Sequence, residues 1–92
     1  MLCQAEFLQE TGITLERFQD ILALGWIDVQ EDAEHIQSFS DTDIYRVRKL
    51  VRICQDFDLP VIGGTIIVDL LDRIAVLEET VRQLKAQYEG EE

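Results

Sequence analysis

The side chains best suited to nucleophilic or acid–base chemistry are one histidine, His35, and two cysteines, Cys3 and Cys54, and their spacing supports neither use. A nucleophile needs a base beside it, and the base needs a group that orients it. No cysteine lies near His35, which reads as a solvated residue at a hairpin tip. The cysteines lack the C-x-x-C or Cys/His clustering of a zinc site or a disulfide framework. Cys54 reads as a small buried apolar residue and Cys3 as an idle thiol, an arrangement that suits a reducing compartment. The acidic pairs Glu31-Asp32 and Glu78-Glu79 lack the alternating oxygen spacing and turn glycine of a calcium loop. Gly63-Gly64 is followed by no phosphate-loop signature, which leaves it as a plain joint between helices. The expectation is a protein with no catalytic residue, no metal and no cofactor.

The elements around these residues are mostly helical. A chain of 92 residues with 47% hydrophobic and 29% charged side chains has enough apolar material for one small core. Ala5, Phe7 and Leu8 mark a first helix over 4–11 that stops at Gly12. Thr14 offers an N-cap for a second, in which Leu15, Phe18, Ile21, Leu22 and Leu24 repeat at helical spacing up to Gly25. From Trp26 to Phe39 the pattern turns to period two, with Ile27 and Val29 against Asp28 and Gln30, which predicts a short hairpin. Trp26 reads as a core residue, with an interface anchor as the alternative. Ser40 opens a third helix that carries the apolar stripe Ile44, Val47, Leu50, Val51, Cys54 and Phe57 and ends near Leu59, before Pro60. Beyond the joint at 61–64, Ile67, Leu70, Ile74, Leu77, Val81, Leu84 and Tyr88 alternate steps of three and four. This predicts a long amphipathic helix with a dimerisation seam, in which Arg73 falls at g and Glu78 at e. Gly90-Glu91-Glu92 reads as a frayed end. The expected division is a core over 1–59 and a coiled-coil helix over 60–92.

Charge narrows the partners. Nineteen acidic residues against eight basic ones give a net charge of -11, a field that repels phosphate backbones. Arg46, Arg48, Lys49 and Arg52, half of all the bases, fall on the third helix. There they read mainly as surface residues that pair with nearby carboxylates. No stretch approaches the roughly 18 apolar residues of a membrane span, and Met1–Glu6 lacks the features of a secretion signal, so a cytoplasmic location is expected.

The order helix-turn-helix, hairpin, helix and long terminal helix resembles the MerR-type winged-helix family. The residues that carry it are Gly12-Ile13-Thr14-Leu15-Glu16-Arg17-Phe18 through Gly25-Trp26-Ile27, similar to a run that starts Gly-Val-Ser and closes Gly-Leu-Leu. Phe39-Ser40-Asp41-Thr42-Asp43-Ile44 is likewise similar to the Tyr-Asp-Glu-Glu-Asp-Leu segment that begins that family's next helix. Leu70-Leu71-Asp72-Arg73-Ile74-Ala75-Val76-Leu77 resembles the Leu-Leu-Asp-x-Ile-x-x-Leu run of the CbpM family of chaperone modulators. The resemblance implies a mostly α, MerR-like winged helix-turn-helix fold with a short β-hairpin wing and a long C-terminal dimerisation helix.

Departures from the DNA-binding pattern bear on function. The second helix carries Glu16 and Gln19 where MerR regulators usually place arginines, and Asp20-Ile21-Leu22 stands in place of a Tyr-Tyr-Glu stretch that helps hold DNA. The wing from Gln30 to Gln37 has no Lys or Arg to grip phosphate, and the first 35 residues hold eight acidic side chains and one base. The resemblance therefore implies a protein-binding modulator that docks on the J domain of a DnaJ-like curved-DNA-binding cochaperone and inhibits its Hsp70 and DNA-binding activities. Glu16, Asp20, Asp28, Glu31 and Asp32 are the candidate docking residues. Ile67, Leu70, Ile74, Leu77, Val81, Leu84 and Tyr88 would hold a homodimer together. The alternative is a MerR-type transcriptional regulator, for which Arg46, Arg48, Lys49 and Arg52 would have to supply phosphate contacts. No direct nucleic-acid binding, membrane association or small-molecule ligand is expected.

Overall fold

Residues 3–90 are described by the structure, a computed structural model; Glu91 and Glu92 of the expected frayed end lie outside them. Helix α1 (Gln4–Thr11) closes where Gly12 turns into the left-handed region at φ 74° and donates its N–H to the Leu8 carbonyl. Two residues on, the Thr14 side chain accepts a hydrogen bond from the Arg17 N–H and caps α2 (Leu15–Ala23). Strands β1 (Gln30–Glu31) and β2 (Gln37–Ser38) pair antiparallel, with Gln30 opposite Ser38 and Glu31 opposite Gln37. Ser40 accepts from the Asp43 N–H to cap α3 (Asp41–Phe57), which Asp58 ends in a left-handed conformation. Helix α4 (Val61–Gly90) follows directly; at 30 residues it is about 45 Å long and sets the 56 Å long axis of the molecule.

Three phenylalanines centre the core. Phe7 of α1 stacks on Phe39 with centroids 4.3 Å apart, and Phe18 of α2 approaches both at 5.7 and 5.8 Å. Ile13, Ile21, Ile27, Val47, Leu50, Val51, Cys54, Val61 and Val68 complete the buried cluster, and Trp26 packs at its edge. Every helix and the chain leading into and out of the hairpin therefore supply residues to a single interior. Truncating one of its phenylalanines to alanine removes about 3–5 kcal/mol.

Four expectations change. Leu15, Leu22 and Leu24 fit the helical repeat but are exposed, because α2 buries only the narrow face of Phe18 and Ile21. Phe57 is 69% exposed, since α3 ends there and nothing packs beyond its last turn. The hairpin has two residues per strand, because residues 31–37 are all exposed and offer no apolar face to extend the pairing. The supposed joint at 61–64 is already helical.

The cause of that last change lies in Pro60 and Gly64. Pro60 stands just before the first helical residue, where its missing N–H costs nothing, and its carbonyl accepts the Gly64 N–H. A Cβ on Gly64 would lie 2.5 Å from Cys54 Sγ and 2.6 Å from Leu50 Cδ1, so the absent side chain lets α4 press against α3. Glycine within a helix costs about 1 kcal/mol relative to alanine, and close packing along this seam offsets it.

Candidate functional site

The helix-turn-helix places its acids outward. Glu16 and Asp20 lie one turn apart on α2, both exposed, and neither has an ion-pair partner among the described residues. Arg17, the one base of this unit, is half-buried and near enough to Cys54 to oppose the rise that burial imposes on that thiol's pKa. Asp28 is exposed and accepts from Gln30 Nε2 at 3.4 Å. Glu31 meets His35 Nδ1 at 2.9 Å.

Asp32 has a structural task that its sequence position did not reveal. Its Oδ1 accepts the backbone N–H groups of Glu34 at 2.8 Å and Ile36 at 3.0 Å, holding a tip in which His35 takes φ 64°. This side-chain cap substitutes for the glycine or asparagine that the tip lacks. The five acids thus fall into two groups, one on α2 and one at the hairpin, with no hydrogen bond or ion pair joining the groups among the described residues.

On α3 every base already has a carboxylate. Arg46 Nη2 meets Asp69 Oδ1 at 3.0 Å and its Nε lies 3.8 Å from Asp72 Oδ2. Its Nη1 donates to the Trp26 carbonyl at 3.0 Å, and the guanidinium sits 4.1 Å from the Trp26 ring centroid. The indole Nε1 donates to the same Asp69 oxygen at 3.0 Å. Lys49 reaches Asp72 Oδ1 at 3.3 Å, Arg48 donates to the Glu10 carbonyl and carboxylate at 3.1 and 2.8 Å, and Arg52 lies 3.7 Å from Asp56.

Exposed ion pairs contribute little individually, but Arg46 is largely sheltered, and a cation over an indole adds about 0.5–1 kcal/mol. The Trp26–Arg46–Asp69 cluster thus ties the end of the helix-turn-helix to α3 and α4. Sequence reading missed Glu10, Asp69 and Asp72 as the partners. Their bases lie 23–38 positions away, and only the i, i+3 spacing of Asp69 and Asp72 hinted at a shared face.

Beyond Val68 helix α4 buries nothing. Ile67 is half-buried, whereas Leu70, Ile74, Leu77, Val81, Leu84 and Tyr88 are 48–71% exposed and form one continuous apolar strip. No helix among the described residues is long and apolar enough to cross a membrane.

The family described as MerR HTH family regulatory protein matches residues 2–86. The chain belongs to the MerR helix-turn-helix family. Within it the chain is similar to the chaperone modulatory protein CbpM of Salmonella arizonae, with 32% identity over 79 residues that cover 86% of this chain and 78% of that protein. It is thus a CbpM-like, non-enzymatic MerR-family protein. In MerR terms α1 and α2 are the helix-turn-helix and the β1–β2 hairpin is the wing. This member presents acids at both places where a DNA reader needs cations.

Proposed function

We propose that this CbpM-like protein is a cytoplasmic chaperone modulator that binds the J domain of a DnaJ-like curved-DNA-binding cochaperone and inhibits its Hsp70 and DNA-binding activities. The observation that carries the reading is the charge of the helix-turn-helix: Glu16 and Asp20 on α2 have no ion-pair partner among the described residues, and the four α3 bases that phosphate would need are engaged by Glu10, Asp56, Asp69 and Asp72. An acidic docking face suits a basic partner, and Glu16, Asp20, Asp28, Glu31 and Asp32 supply it. The same occupancy of Arg46, Arg48, Lys49 and Arg52 weighs against the DNA-binding regulator. The strip from Ile67 to Tyr88 is the proposed homodimer seam.

Stopped-flow association with a purified J domain tests the reading. Steering by opposite charge raises the on-rate and fades as salt shortens the Debye length to about 8 Å. Glu16→Arg with Asp20→Arg should slow association and flatten its salt dependence while the fold persists. Absence of any binding by the wild-type chain would end the proposal.

A further inference from the structure

Between the end of α2 and the start of α4 runs an apolar groove of about 350 Å³ lined by Asp20, Ala23, Leu24, Pro60, Val61 and Ile62. Its two projecting walls are large apolar side chains left in water, Leu24 at 50% and Ile62 at 60% exposure. Ile66, also exposed, continues the Ile62 row one turn along α4. Leu24, Ile62 and Ile66 gathered at one concavity form an apolar patch rather than the scattered single residues of an ordinary surface.

The rim has one sign. Asp20 lines the groove, Glu16 lies one turn before it on the same face, and Asp58 stands two residues before Pro60. None of the three has a basic partner among the described residues. This differs from the α3–α4 face, where acids are matched by bases. A second copy of this chain is a poor occupant, because the apolar strip of α4 is already assigned to the dimer seam and the chain as a whole carries a net charge of -11, the same sign as the rim.

We infer that this groove is the docking site for one amphipathic α-helix of a partner protein, which seats an apolar residue between Leu24 and Ile62 and sets Lys or Arg against Asp20 and Glu16. The occupant follows from the two properties that the groove combines. A helix in a groove is held by apolar anchors at i, i+3 or i+4, and the uncompensated acids select a basic flank. The inference rests on the protein-binding reading above and adds the place of contact.

The test uses the full chain with two probes: a purified J domain, and a fluorescein-labelled designed peptide that is helical, with leucines on one face and lysines flanking them. Leu24→Ser and Ile62→Ser, both at exposed positions, should each weaken binding of both probes about tenfold, whereas Val76→Ser, at an exposed position of α4 outside the seam, should leave it unchanged. Peptide added to the isotopically labelled wild-type chain should shift the backbone amide signals of Ala23, Leu24, Ile62 and Gly63, a readout that needs no variant. J-domain binding that is indifferent to Leu24→Ser and Ile62→Ser overturns the groove and leaves the modulator reading standing. A J domain that fails to bind, with peptide binding still lost in the two variants, overturns the modulator reading and supports the groove. Equal affinity for a peptide with glutamates in place of the lysines overturns the basic occupant.

Discussion

Helix α4 is two helices in physical terms. From Val61 to Val68 it is part of the interior: Val61, Gly64, Thr65 and Val68 are buried, and Gly64 lets Cys54 and Leu50 of α3 approach to where a Cβ would stand. From Leu70 to Tyr88 the apolar density is similar, yet every large side chain is exposed. The contrast teaches that apolar periodicity reports that a face will be covered, without saying by what. The near half is covered by α3, and covering the far half is the task we assign to a second copy.

Substitutions in the far half of α4 should act on assembly. Leu77→Asp with Leu84→Asp should convert dimer to monomer in sedimentation equilibrium while the circular dichroism of the core persists. A wild-type chain that is monomeric at micromolar concentration would remove the seam. The near half answers with stability instead. Gly64→Val forces methyl groups against Cys54 Sγ and Leu50 Cδ1 and should cost about 2–3 kcal/mol in denaturant unfolding. Its neighbour sharpens the point, because a Cβ on Gly63 meets nothing closer than Pro60 at 3.9 Å. Gly63→Ala should therefore stabilise the fold by up to about 1 kcal/mol.

A smaller effect is expected at the boundary between the halves. Trp26→Phe keeps the ring under Arg46 but removes the 3.0 Å bond to Asp69, and should cost about 1 kcal/mol. The two thiols give the smallest signal. Burial raises the Cys54 pKa, so its neutral form is favoured in the fold, and that contribution is fully present below the unfolded value and lost as pH rises through the raised folded one. At pH 8 a thiol reagent should therefore modify exposed Cys3 promptly and Cys54 only on unfolding.

Much of this architecture was legible from local signals. Gly12, Thr14 and Ser40 act within their own turn, and the helix ends that they set follow from side-chain chemistry at short range. The acidic face of α2 was equally legible, since Glu16 and Asp20 need only helical spacing to share a side. What escaped depends on distant partners. Nothing near Gly64 in sequence indicates that Cys54 will lie against it, and the same pattern that buries Phe18 and Ile21 leaves Leu15, Leu22 and Leu24 in water. Of these leucines Leu24 lines the groove, together with Pro60, Val61 and Ile62, which are distant from it in sequence.

The most direct test of the modulator reading is the J-domain-stimulated ATP hydrolysis of an Hsp70, followed with and without a stoichiometric amount of this chain in physiological salt, beside a duplex-DNA titration in the same buffer. A chain whose helix-turn-helix carries unpaired acids and whose α3 bases are all engaged should lower the stimulated rate toward the basal one and leave the DNA unbound. An unchanged ATPase rate together with submicromolar DNA binding would contradict it.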